Sequence, residues 1–434
     1  MTEKFERPQG YIPRIVDAQV ERYLKVFGAV EIAGTKWCGK TWTALEHGAS
    51  VRYVDKHLDL AKADPSLMLA GERPHVVDEW QRVPAIWDAV RHEVDRVRAT
   101  RGAFILTGSS TPVVKTGEEG PVHSGAGRIG RVRMHPMSLS ESGESTGDVS
   151  LRELFEGRFR PCTSEKDTSG LVELACRGGW PEVIDLDAGS AQLIARDYLT
   201  AAFDVSIPSL GLESDIARRL VASIARNLGQ ATTYKTIISD MFGSEEKPDE
   251  IVNENKIRVY LEALKGMYLI EEVPGWVPPA RDKRRFTIKP KRYLADPSLA
   301  AAILGMSSRS LMNDWQTFGL IFENLVIRDL SVYARSLNLL DSVPVRYYRD
   351  DSGLEADAVI QLADSRWAAF EIKVSEDKVP DGVASLKRLR EKLLSNPRSQ
   401  TKEPSFMTVI TGNGEFAREV EEGIYVIPIR MLTN

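Results

Sequence analysis

The residues with the clearest capacity for chemistry form a glycine-rich loop near the N-terminus. Residues 34–41 read GTKWCGKT and fit the pattern G-x4-G-K-T at Gly34, Gly39, Lys40 and Thr41. The loop follows the apolar run Val30–Ala33 and precedes a helical pattern, a context that favours a phosphate-binding loop over a chance glycine turn. Backbone N–H groups and the helix N-terminus attract phosphate there. We expect Lys40 to reach the β- and γ-phosphates of a nucleotide and Thr41 to hold Mg²⁺ through its hydroxyl.

Two adjacent acids predict the second half of a nucleotide site. Asp78 and Glu79 follow the apolar, strand-like run His75–Val77, downstream of the glycine-rich loop. We expect Asp78 to hold Mg²⁺ through water and Glu79 to polarise the water that attacks the γ-phosphate. Two neighbouring acids mean little alone, but after a phosphate-binding loop they predict a site for Mg²⁺ and a nucleoside triphosphate.

Hydroxyl groups and arginines follow a third strand-like run, Phe104–Leu106. Ser109 and Thr107 are candidates for a sensor of the γ-phosphate, with an ordinary Gly-Ser turn as the alternative. Farther on, the composition of Gly117–Gly130 predicts a loop. Three arginines lie at or beyond its end, namely Arg128, Arg131 and Arg133. Arg128 is the first candidate for an arginine finger in catalysis, and salt-bridged or solvated arginines are the alternative.

Several segments resemble the AAA+ ATPases of bacteria and archaea that carry a C-terminal domain of unknown function. They are GTKWCGKTW, VVDEWQRVPAIWDAVR, FILTGSS, HSGAGRIGRVRMHPMSLSESG and GGWPE (Gly178–Glu182). The resemblance extends along nearly the whole chain. One departure is Ala33-Gly34-Thr35, where members often have Gly-Pro. The resemblance implies an α/β core that binds ATP through Gly34, Thr35, Lys36, Trp37, Cys38, Gly39, Lys40, Thr41, Trp42 and Ser109. It also implies a homo-oligomer that forms or tightens with ATP, because the finger arginine of AAA+ proteins often comes from a neighbouring subunit.

Acidic residues in the C-terminal part occur in an order that resembles the PD-(D/E)xK nuclease core. An amphipathic helix over 317–332 carries Glu323, a strand over 354–360 carries Asp357, and the strand 367–373 ends in Glu371, Ile372 and Lys373. Glu323, Asp357 and Glu371 would hold divalent metal through oxygen, and Lys373 would position or activate a water. Asp357, Glu371 and Lys373 are thus the catalytic candidates. Two alternatives stay open. Glu371 and Lys373 could form a salt-bridged pair on an exposed face, or the nuclease fold could serve only for binding.

The middle of the chain has a pattern typical of a winged helix. Helical stretches cover 214–228, 232–241 and 251–264, and strands cover 267–273 and 286–288. The third helix carries Lys256, Arg258 and Tyr260, and a basic cluster follows it: Arg281, Lys283, Arg284, Arg285, Lys289, Lys291 and Arg292. We predict that Lys283, Arg284 and Arg285 contact the phosphates of double-stranded DNA. A protein-binding module or a solvated hairpin is the alternative.

Composition narrows the class of protein further. The chain has 434 residues, with 57 Lys and Arg against 62 Asp and Glu, and the net charge of −5 argues against a bulk polycation. The three cysteines form neither a disulfide framework nor a zinc-ligand pattern, which fits a reducing compartment. No apolar run approaches the roughly 18–20 residues of a membrane helix, and the polar N-terminus shows no secretory signal. We expect a cytoplasmic protein without a membrane partner.

These features together predict an α/β fold class with three parts. They are a P-loop AAA+ nucleotide-binding core, a helical and winged-helix middle, and a C-terminal restriction-endonuclease-like α/β domain. The expected bounds are 1–150 for the ATPase domain, 151–212 for a helical connector, 213–300 for the winged helix and 301–434 for the nuclease-like domain. The leading hypothesis is an enzyme that hydrolyses ATP with Mg²⁺ and acts on DNA. The alternative is an ATP-switched regulatory or scaffold protein whose nuclease-like domain only binds nucleic acid or protein.

Overall fold

The computed structural model of the protein describes residues 5–96, 100–110, 124–163, 170–243, 252–278, 287–396 and 401–434. The chain divides into two compact units, which are described separately. The first consists of Met1–Pro136 and Glu262–Leu269, and the second of Met137–Leu261 and Ile270–Asn434. Within the ranges above, every helix is too short or too polar to cross a lipid bilayer.

The first unit is built on a parallel five-stranded sheet. Its strands are β1 (Ala29–Gly34), β2 (Ser50–Tyr53), β3 (His75–Asp78), β4 (Phe104–Gly108) and β5 (Ile129–Met134). Their order across the sheet is β2-β3-β4-β1-β5, so β4 lies between the strand before the glycine-rich loop and the strand that ends in Asp78. The helices of this unit are α1 (Asp17–Leu24), α2 (Lys40–His47), α3 (Leu58–Ala63) and α4 (Ala85–Arg96).

Burial explains why these apolar runs form parallel strands. Every residue of β1, β3 and β4 is buried, as expected for a sheet covered on both faces. One apolar cluster contains Trp87 and Phe104, and another contains Val30 and Ile105. The carboxyl ends of the three central strands therefore meet at one edge of the sheet, with polar residues directly after them.

Strand β5 corrects one expectation from the sequence. Its glycine content predicts a loop over Gly117–Gly130, yet β5 begins at Ile129. The part of that stretch before Ser124 lies outside the described residues. The missed signal is an alternation with period two, in which Val132 is buried while the neighbouring Arg131 is exposed.

The second unit contains the other helices and strands. Its helices are α5 (Leu151–Phe155), α6 (Leu171–Arg177), α7 (Ala188–Ala201), α8 (Ile207–Ser209), α9 (Ser214–Arg226), α10 (Tyr234–Phe242), α11 (Glu254–Gly266), α12 (Pro297–Ile303), α13 (Ser308–Leu311), α14 (Trp315–Ala334) and α15 (Val379–Ser395). A π-helical turn, Ala202–Ser206, connects α7 to α8, and the end of α11 belongs to the first unit. Its strands are β6 (Val149–Ser150), β7 (Cys162–Thr163), β8 (Ile270–Val273), β9 (Lys291–Leu294), β10 (Arg346–Arg349), β11 (Glu355–Gln361), β12 (Trp367–Lys373), β13 (Phe406–Thr411), β14 (Phe416–Glu421), β15 (Ile424–Pro428) and β16 (Leu432–Thr433).

The middle of the chain has the predicted order of elements, with one strand displaced. Helices α9, α10 and α11 precede the antiparallel pair β8 and β9. The second strand is expected over 286–288, but it spans Lys291–Leu294, and all of its residues are buried. The expectation failed because Lys291 and Arg292 have carboxylate partners inside the protein, which allows a strand that begins with two basic residues to be buried.

A mixed sheet forms the C-terminal part of the second unit. Its strand order is β10-β11-β12-β13-β15-β14-β7. Strands β10, β11 and β12 are antiparallel neighbours, whereas β12 and β13 are parallel and are connected through α15. Helix α14 precedes these strands in the chain. This order of helix, three antiparallel strands, helix and parallel strand places Asp357 on β11 and Glu371 on β12.

A buried charge cluster fixes the GGWPE segment within the second unit. Arg328 on α14 is buried and pairs with Asp296 at 2.8 Å and with Asp329 at 2.7 Å. Asp296 also accepts the Gly179 N–H at 3.0 Å. A Cβ atom on Gly179 would lie 2.1 Å from the carbonyl oxygen of Met137, so the close approach of backbone at this point requires glycine. The motif is therefore a packing feature of the second unit.

Candidate nucleotide site and carboxylate cleft

Two glycines shape the loop at the carboxyl end of β1. A Cβ atom on Gly34 would lie 2.1 Å from the carbonyl oxygen of Met134 on β5, so this close approach requires glycine. Gly39 has a φ of 100°, in the left-handed region that favours glycine, and α2 begins at the next residue. The loop therefore leads directly into the N-terminus of α2, the end of a helix that attracts anions.

Lys40, Thr41 and Asp78 come together beside this loop. The buried ammonium group of Lys40 donates to the carbonyl oxygen of Thr35 at 2.7 Å. The Thr41 hydroxyl donates to Asp78 Oδ1 at 2.8 Å. Burial raises the pKa of the Asp78 carboxyl, while hydrogen bonds from the Thr107 and Thr41 hydroxyls oppose this rise. A cation would stabilise the buried carboxylate, so these two hard oxygen donors fit Mg²⁺.

The hydroxyl groups predicted as sensors contact the same pair of acids. Thr107 Oγ1 donates to Asp78 Oδ1 at 2.6 Å and accepts the Glu79 backbone N–H at 3.1 Å. Ser109 Oγ donates to Glu79 Oε2 at 3.2 Å. These contacts form because β4 lies beside β3 in the sheet. Thr107 therefore orients both acids, and Ser109 lies beside the carboxylate that is expected to polarise water.

Gln81 belongs to this site, although sequence reasoning missed it. Its Nε2 donates to Glu79 Oε2 at 2.5 Å and to Ser109 Oγ at 3.2 Å. The signal in the sequence is weak, because a glutamine two residues after an acid has no chemical meaning until the 3₁₀ turn Trp80–Arg82 folds it back. Gln81 therefore holds the Glu79 carboxylate in place.

A second missed residue, Arg14, supports the loop from outside the motif. Its buried guanidinium donates to the carbonyl oxygen of Cys38 and to that of His135, each at 2.8 Å. One side chain thereby connects the glycine-rich loop to the residue that follows β5. A lone arginine in the N-terminal segment gives no sequence signal for this contact.

The other predicted loop residues differ in their exposure. Thr35 and Cys38 are buried, and the Cys38 thiol faces the carbonyl oxygen of Met134 at 3.8 Å, which indicates a packing role. Lys36 is exposed, and Trp37 and Trp42 are 44% and 43% exposed. These three side chains therefore lie on the surface of the unit around the loop.

Arg128 lies at the end of the sheet opposite the glycine-rich loop. Its carbonyl oxygen accepts the N–H of Ala29, the first residue of β1, whereas the loop follows Gly34, the last residue of that strand. At a rise of roughly 3.3 Å per residue, the two ends are farther apart than one arginine side chain can reach. The guanidinium pairs with Asp95 at 2.9 Å and is 47% exposed. Arg128 therefore does not reach the phosphate loop of its own chain.

The two arginines that follow are in contacts on β5. Arg131 pairs with Glu31 at 3.1 Å and lies over the Trp87 ring, 4.9 Å from its centroid. Burial raises the pKa of the Glu31 carboxyl, and the Arg131 charge opposes this. The Arg133 guanidinium lies 3.8 Å from the centroid of the Tyr268 ring.

Two of the three acids predicted for the C-terminal site, Asp357 and Glu371, line a cleft of about 640 Å³. Asp357, Glu371 and Lys373 are joined there by Glu355, which sequence reasoning missed. Lys373 Nζ lies 2.6 Å from Glu371 Oε2 and 3.8 Å from Asp357 Oδ2. The short contact shows that alternation along β12 places Glu371 and Lys373 on one face. The Ile372 N–H donates to Asp357 Oδ2 at 2.8 Å and connects the two strands.

Lys291 separates Glu323 from the acids of the cleft. Its side chain is 3% exposed, and Nζ lies 3.2 Å from Glu323 Oε1, 2.7 Å from Glu355 Oε1 and 3.7 Å from Asp357 Oδ1. Among the described residues, no group of three or more His, Cys, Asp and Glu side chains is arranged to hold a metal ion. The cleft therefore does not fit a divalent ion shared by the three predicted acids.

Burial and mutual repulsion raise the pKa values of two acids beside these lysines. Burial raises the pKa of Glu323 to about 7, with Lys291 opposing and Asp357 adding to the rise. Burial and the Asp357 charge raise the pKa of Glu371 to about 7, with Lys373 opposing. Burial lowers the pKa of Lys373, but Asp357 and Glu371 more than compensate, so it is raised. The carboxylates thus hold Lys373 in its charged form.

One part of the basic cluster predicted to contact DNA lies outside the described residues, and another part is buried. Lys283, Arg284 and Arg285 lie outside the described residues. Lys291 and Arg292 are buried, and Arg292 pairs with Glu272 at 3.1 Å, which corrects the expectation that the whole cluster is available to phosphates. Tyr260 on α11 is buried, and its hydroxyl accepts the Glu213 N–H at 2.8 Å. Its aromatic ring therefore belongs to the protein core.

Three family models match separate parts of the chain. A model described as an AAA domain matches residues 27–143. Two models of domains of unknown function, DUF8612 and DUF4143, match residues 168–310 and 318–432. Together with the parallel sheet and its glycine-rich loop, the first match supports an AAA-like P-loop core in this part of the chain. A comparison with curated proteins found no match.

Solved structures give only distant likenesses. The Walker-type ATPase PABY2304 of Pyrococcus abyssi is 15% identical, with 70% of this chain and 96% of that chain covered and a TM-score of 0.40. DnaA of Aquifex aeolicus, bound to AMPPCP, is 12% identical over 59% of this chain and 89% of its own, with a TM-score of 0.25. ORC1 of Aeropyrum pernix, in complex with DNA, is 14% identical over 68% and 94%, with a TM-score of 0.26.

Proposed function

We propose that the protein hydrolyses ATP with Mg²⁺ in its AAA-class domain. The observation that carries this proposal is the convergence of the Thr41 and Thr107 hydroxyls on one oxygen of Asp78, at 2.8 Å and 2.6 Å, directly before Glu79. A phosphate loop and an acid pair that come from different strands thereby form one site. This convergence requires a strand, a glycine-rich loop and a helix beside a second strand that ends in an acid pair. A chance glycine turn would lack these neighbours.

Each side chain has a distinct role in this proposal. Lys40 supplies a full positive charge to the β- and γ-phosphates, and the loop N–H groups bind their oxygens. Thr41 and Asp78 would hold Mg²⁺, which supplies charge neutralisation at the phosphate oxygens when bound. Glu79 accepts the proton of the attacking water, and Ser109 and Gln81 fix its carboxylate. Thr107 holds the Asp78 carboxylate and the Glu79 backbone in their relative positions.

Phosphate release by the purified full-length chain tests this assignment. We expect release from ATP in Mg²⁺ and none when EDTA removes the metal ion. Nucleotide binding without any turnover, with and without duplex DNA and across a range of protein concentrations, would contradict the proposed hydrolysis.

We further propose that Arg128 acts on the nucleotide of a neighbouring subunit in a homo-oligomer. Its place at the far end of β1 from its own loop supports action in trans, and its exposed guanidinium is free to exchange Asp95 for a phosphate. Arg128→Ala should bind ATP but hydrolyse it at least about tenfold more slowly, a loss of roughly 1.4 kcal/mol of transition-state stabilisation. A matched control is Arg91→Ala, which removes another partner of Asp95 and should keep the parent rate.

Mixing two inactive variants tests the geometry of this arrangement. Arg128→Ala subunits mixed with Glu79→Gln subunits should regain part of the activity, because some interfaces then pair an intact Glu79 with an intact Arg128. The mass in saturating ATP, measured by light scattering, should exceed that of a monomer. A monomeric mass together with no recovery would contradict action in trans and would leave Arg131 as the next candidate.

We propose that the protein acts on double-stranded DNA through the middle of its chain. The order of three helices and an antiparallel strand pair supports a winged-helix arrangement. The basic residues Lys283, Arg284 and Arg285 lie in the connection between the two strands of that pair, the position of a wing. Their charges would bind phosphates without regard to base sequence.

A triple substitution tests the proposed DNA contact. Replacing Lys283, Arg284 and Arg285 by Ala should weaken duplex binding for all sequences alike and flatten its salt dependence, by roughly one unit of log–log slope per lost contact. The control removes three exposed cations elsewhere, at Arg22, Lys25 and Lys62. Unchanged affinity and slope in a folded triple variant would favour the protein-scaffold alternative. Titration by fluorescence anisotropy over a range of salt concentrations provides both quantities.

For the C-terminal domain, we propose a nuclease-like fold that binds without cutting. The order of its elements supports a relationship to the PD-(D/E)xK core, with Asp357 and Glu371 on adjacent strands. Lys291 favours the binding function over cleavage, because its ammonium group occupies the space between the carboxylates of Glu323, Glu355 and Asp357. A plasmid-nicking assay with Mg²⁺ or Mn²⁺, with Glu371→Ala and Lys373→Ala beside the parent, tests the catalytic roles predicted for Asp357, Glu371 and Lys373. Nicking that both substitutions abolish would restore the nuclease hypothesis.

A further inference from the structure

Lys291 reaches the carboxylate cleft from outside the C-terminal sheet. It is the first residue of β9, which pairs with β8 and not with the strands that line the cleft. Its side chain is 3% exposed, so the ammonium group is enclosed by protein. Its contacts are with carboxylates on other elements, which are Glu323 on α14 and Glu355 and Asp357 on β11.

The Lys291 ammonium group occupies the position that a metal ion shared by Glu323 and Asp357 would need. Lys291 Nζ lies 3.2 Å from Glu323 Oε1 and 3.7 Å from Asp357 Oδ1, so it stands between two of the three acids predicted to bind metal. The Tyr293 hydroxyl donates to the same Glu323 oxygen at 2.6 Å. Oε1 of Glu323 therefore already accepts hydrogen bonds from two residues of β9.

A second ammonium group, that of Lys373, pairs with the acid on β12. Lys373 Nζ is 2.6 Å from Glu371 Oε2, and 3.8 Å from the Asp357 oxygen that also accepts the Ile372 N–H. A divalent cation placed between Glu323 and Asp357 would lie next to the Lys291 ammonium group, which carries a like charge. Repulsion at such short range in a poorly hydrated site opposes its binding.

We propose that Lys291 is a built-in counter-ion that takes the place of a divalent cation between Glu323 and Asp357, so that the cleft binds neither Mg²⁺ nor Mn²⁺ unless this lysine is removed. Lys291 thereby sets the function of the cleft, since a nuclease-like site without metal binds its partner but does not cleave it. The inference bears on the C-terminal part of the proposed function and is independent of ATP hydrolysis.

Titration of the nucleotide-free, full-length protein with Mn²⁺, followed by electron paramagnetic resonance, tests this inference. The parent should show no Mn²⁺ site that depends on Asp357, and Asp357→Asn should titrate in the same way. Lys291→Gln should gain a Mn²⁺ site at least tenfold tighter than any in the parent, and the double variant Lys291→Gln with Asp357→Asn should lose it. The matched control is Lys289→Gln, which removes an exposed lysine two residues away and should behave as the parent does.

Two results would overturn the inference. One is a Mn²⁺ site in the parent that Asp357→Asn abolishes, and this measurement stands even where Lys291→Gln fails to fold. The other is a folded Lys291→Gln that gains no site. ATP hydrolysis measured on the same samples keeps the proposals apart, because Lys291→Gln should hydrolyse ATP at the parent rate. A parent that hydrolyses no ATP would count against the proposed function and would leave the counter-ion role of Lys291 intact.

Discussion

Replacing Glu79 by Gln should leave ATP binding at the parent level and slow hydrolysis by at least about 100-fold, a loss of roughly 2.7 kcal/mol of transition-state stabilisation. The amide is nearly isosteric with the carboxylate and can keep the neighbouring contacts with Ser109 and Gln81, but it cannot accept the proton of the attacking water. Binding depends on the glycine-rich loop, which this change does not touch. Equilibrium binding of a fluorescent ATP analogue and steady-state phosphate release measure the two effects separately.

Lys40→Ala is the matched contrast to this variant. It should lose both binding and turnover, because Lys40 supplies the mobile full charge expected at the β- and γ-phosphates. The substitution also removes the hydrogen bond to the Thr35 carbonyl oxygen, so far-ultraviolet circular dichroism should verify that the variant is folded. Hydrolysis by a folded Lys40→Ala at the parent rate would show that the nucleotide site has been misplaced.

Replacing Arg328 by Met should destabilise the second unit by about 3–5 kcal/mol. Met fills the space of the aliphatic part of the arginine side chain, so the expected loss comes mainly from the removed charge. Without the guanidinium, the carboxylates of Asp296 and Asp329, both fully buried, are left without the cation that compensates them. Burial alone raises the pKa of the Asp329 carboxyl, so protonation of that group would absorb part of the loss.

Urea unfolding curves of the parent and of Arg328→Met measure this difference. The control is Arg219→Met, which breaks an exposed pair with Asp215 on α9 and should cost at most about 1 kcal/mol. Equal stability of the two variants would show that the buried cluster contributes no more than a surface pair.

The candidate nucleotide site could be predicted from the sequence as far as its motifs are contiguous. Gly34, Gly39, Lys40 and Thr41 occupy one turn and the start of one helix, so their relation depends on local backbone geometry. Asp78 and Ser109 could be added because Asp78 ends one buried strand of a parallel sheet and Ser109 follows another, and the carboxyl ends of such strands meet at one edge. In the same way, alternation on β12 placed Glu371 and Lys373 on one face.

The supporting residues of the site could not be predicted in this way. Gln81 reaches Glu79 only because a 3₁₀ turn reverses the chain, and Arg14 reaches the carbonyl oxygen of Cys38 from a segment with no motif of its own. The structure also changes the interpretation of the arginine candidates, because Arg128 lies at the end of the sheet opposite the glycine-rich loop. The spacing of these residues along the chain does not predict that they are in contact.

The sequence by itself determined that a glycine-rich loop and an acid pair belong to one parallel sheet, and that an Asp and a Glu-x-Lys motif lie on adjacent strands. These relations follow from the regular geometry of strands and helices, which is the same in every fold. Only the tertiary structure decided the environment of Lys291. In the sequence it belongs to a basic cluster that suits DNA phosphates, whereas in the fold it is buried 2.7 Å from Glu355 and 3.2 Å from Glu323. The reason is that the effect of a charge depends on burial and on the partners that packing brings to it, and these partners come from α14 and β11, which are distant along the chain.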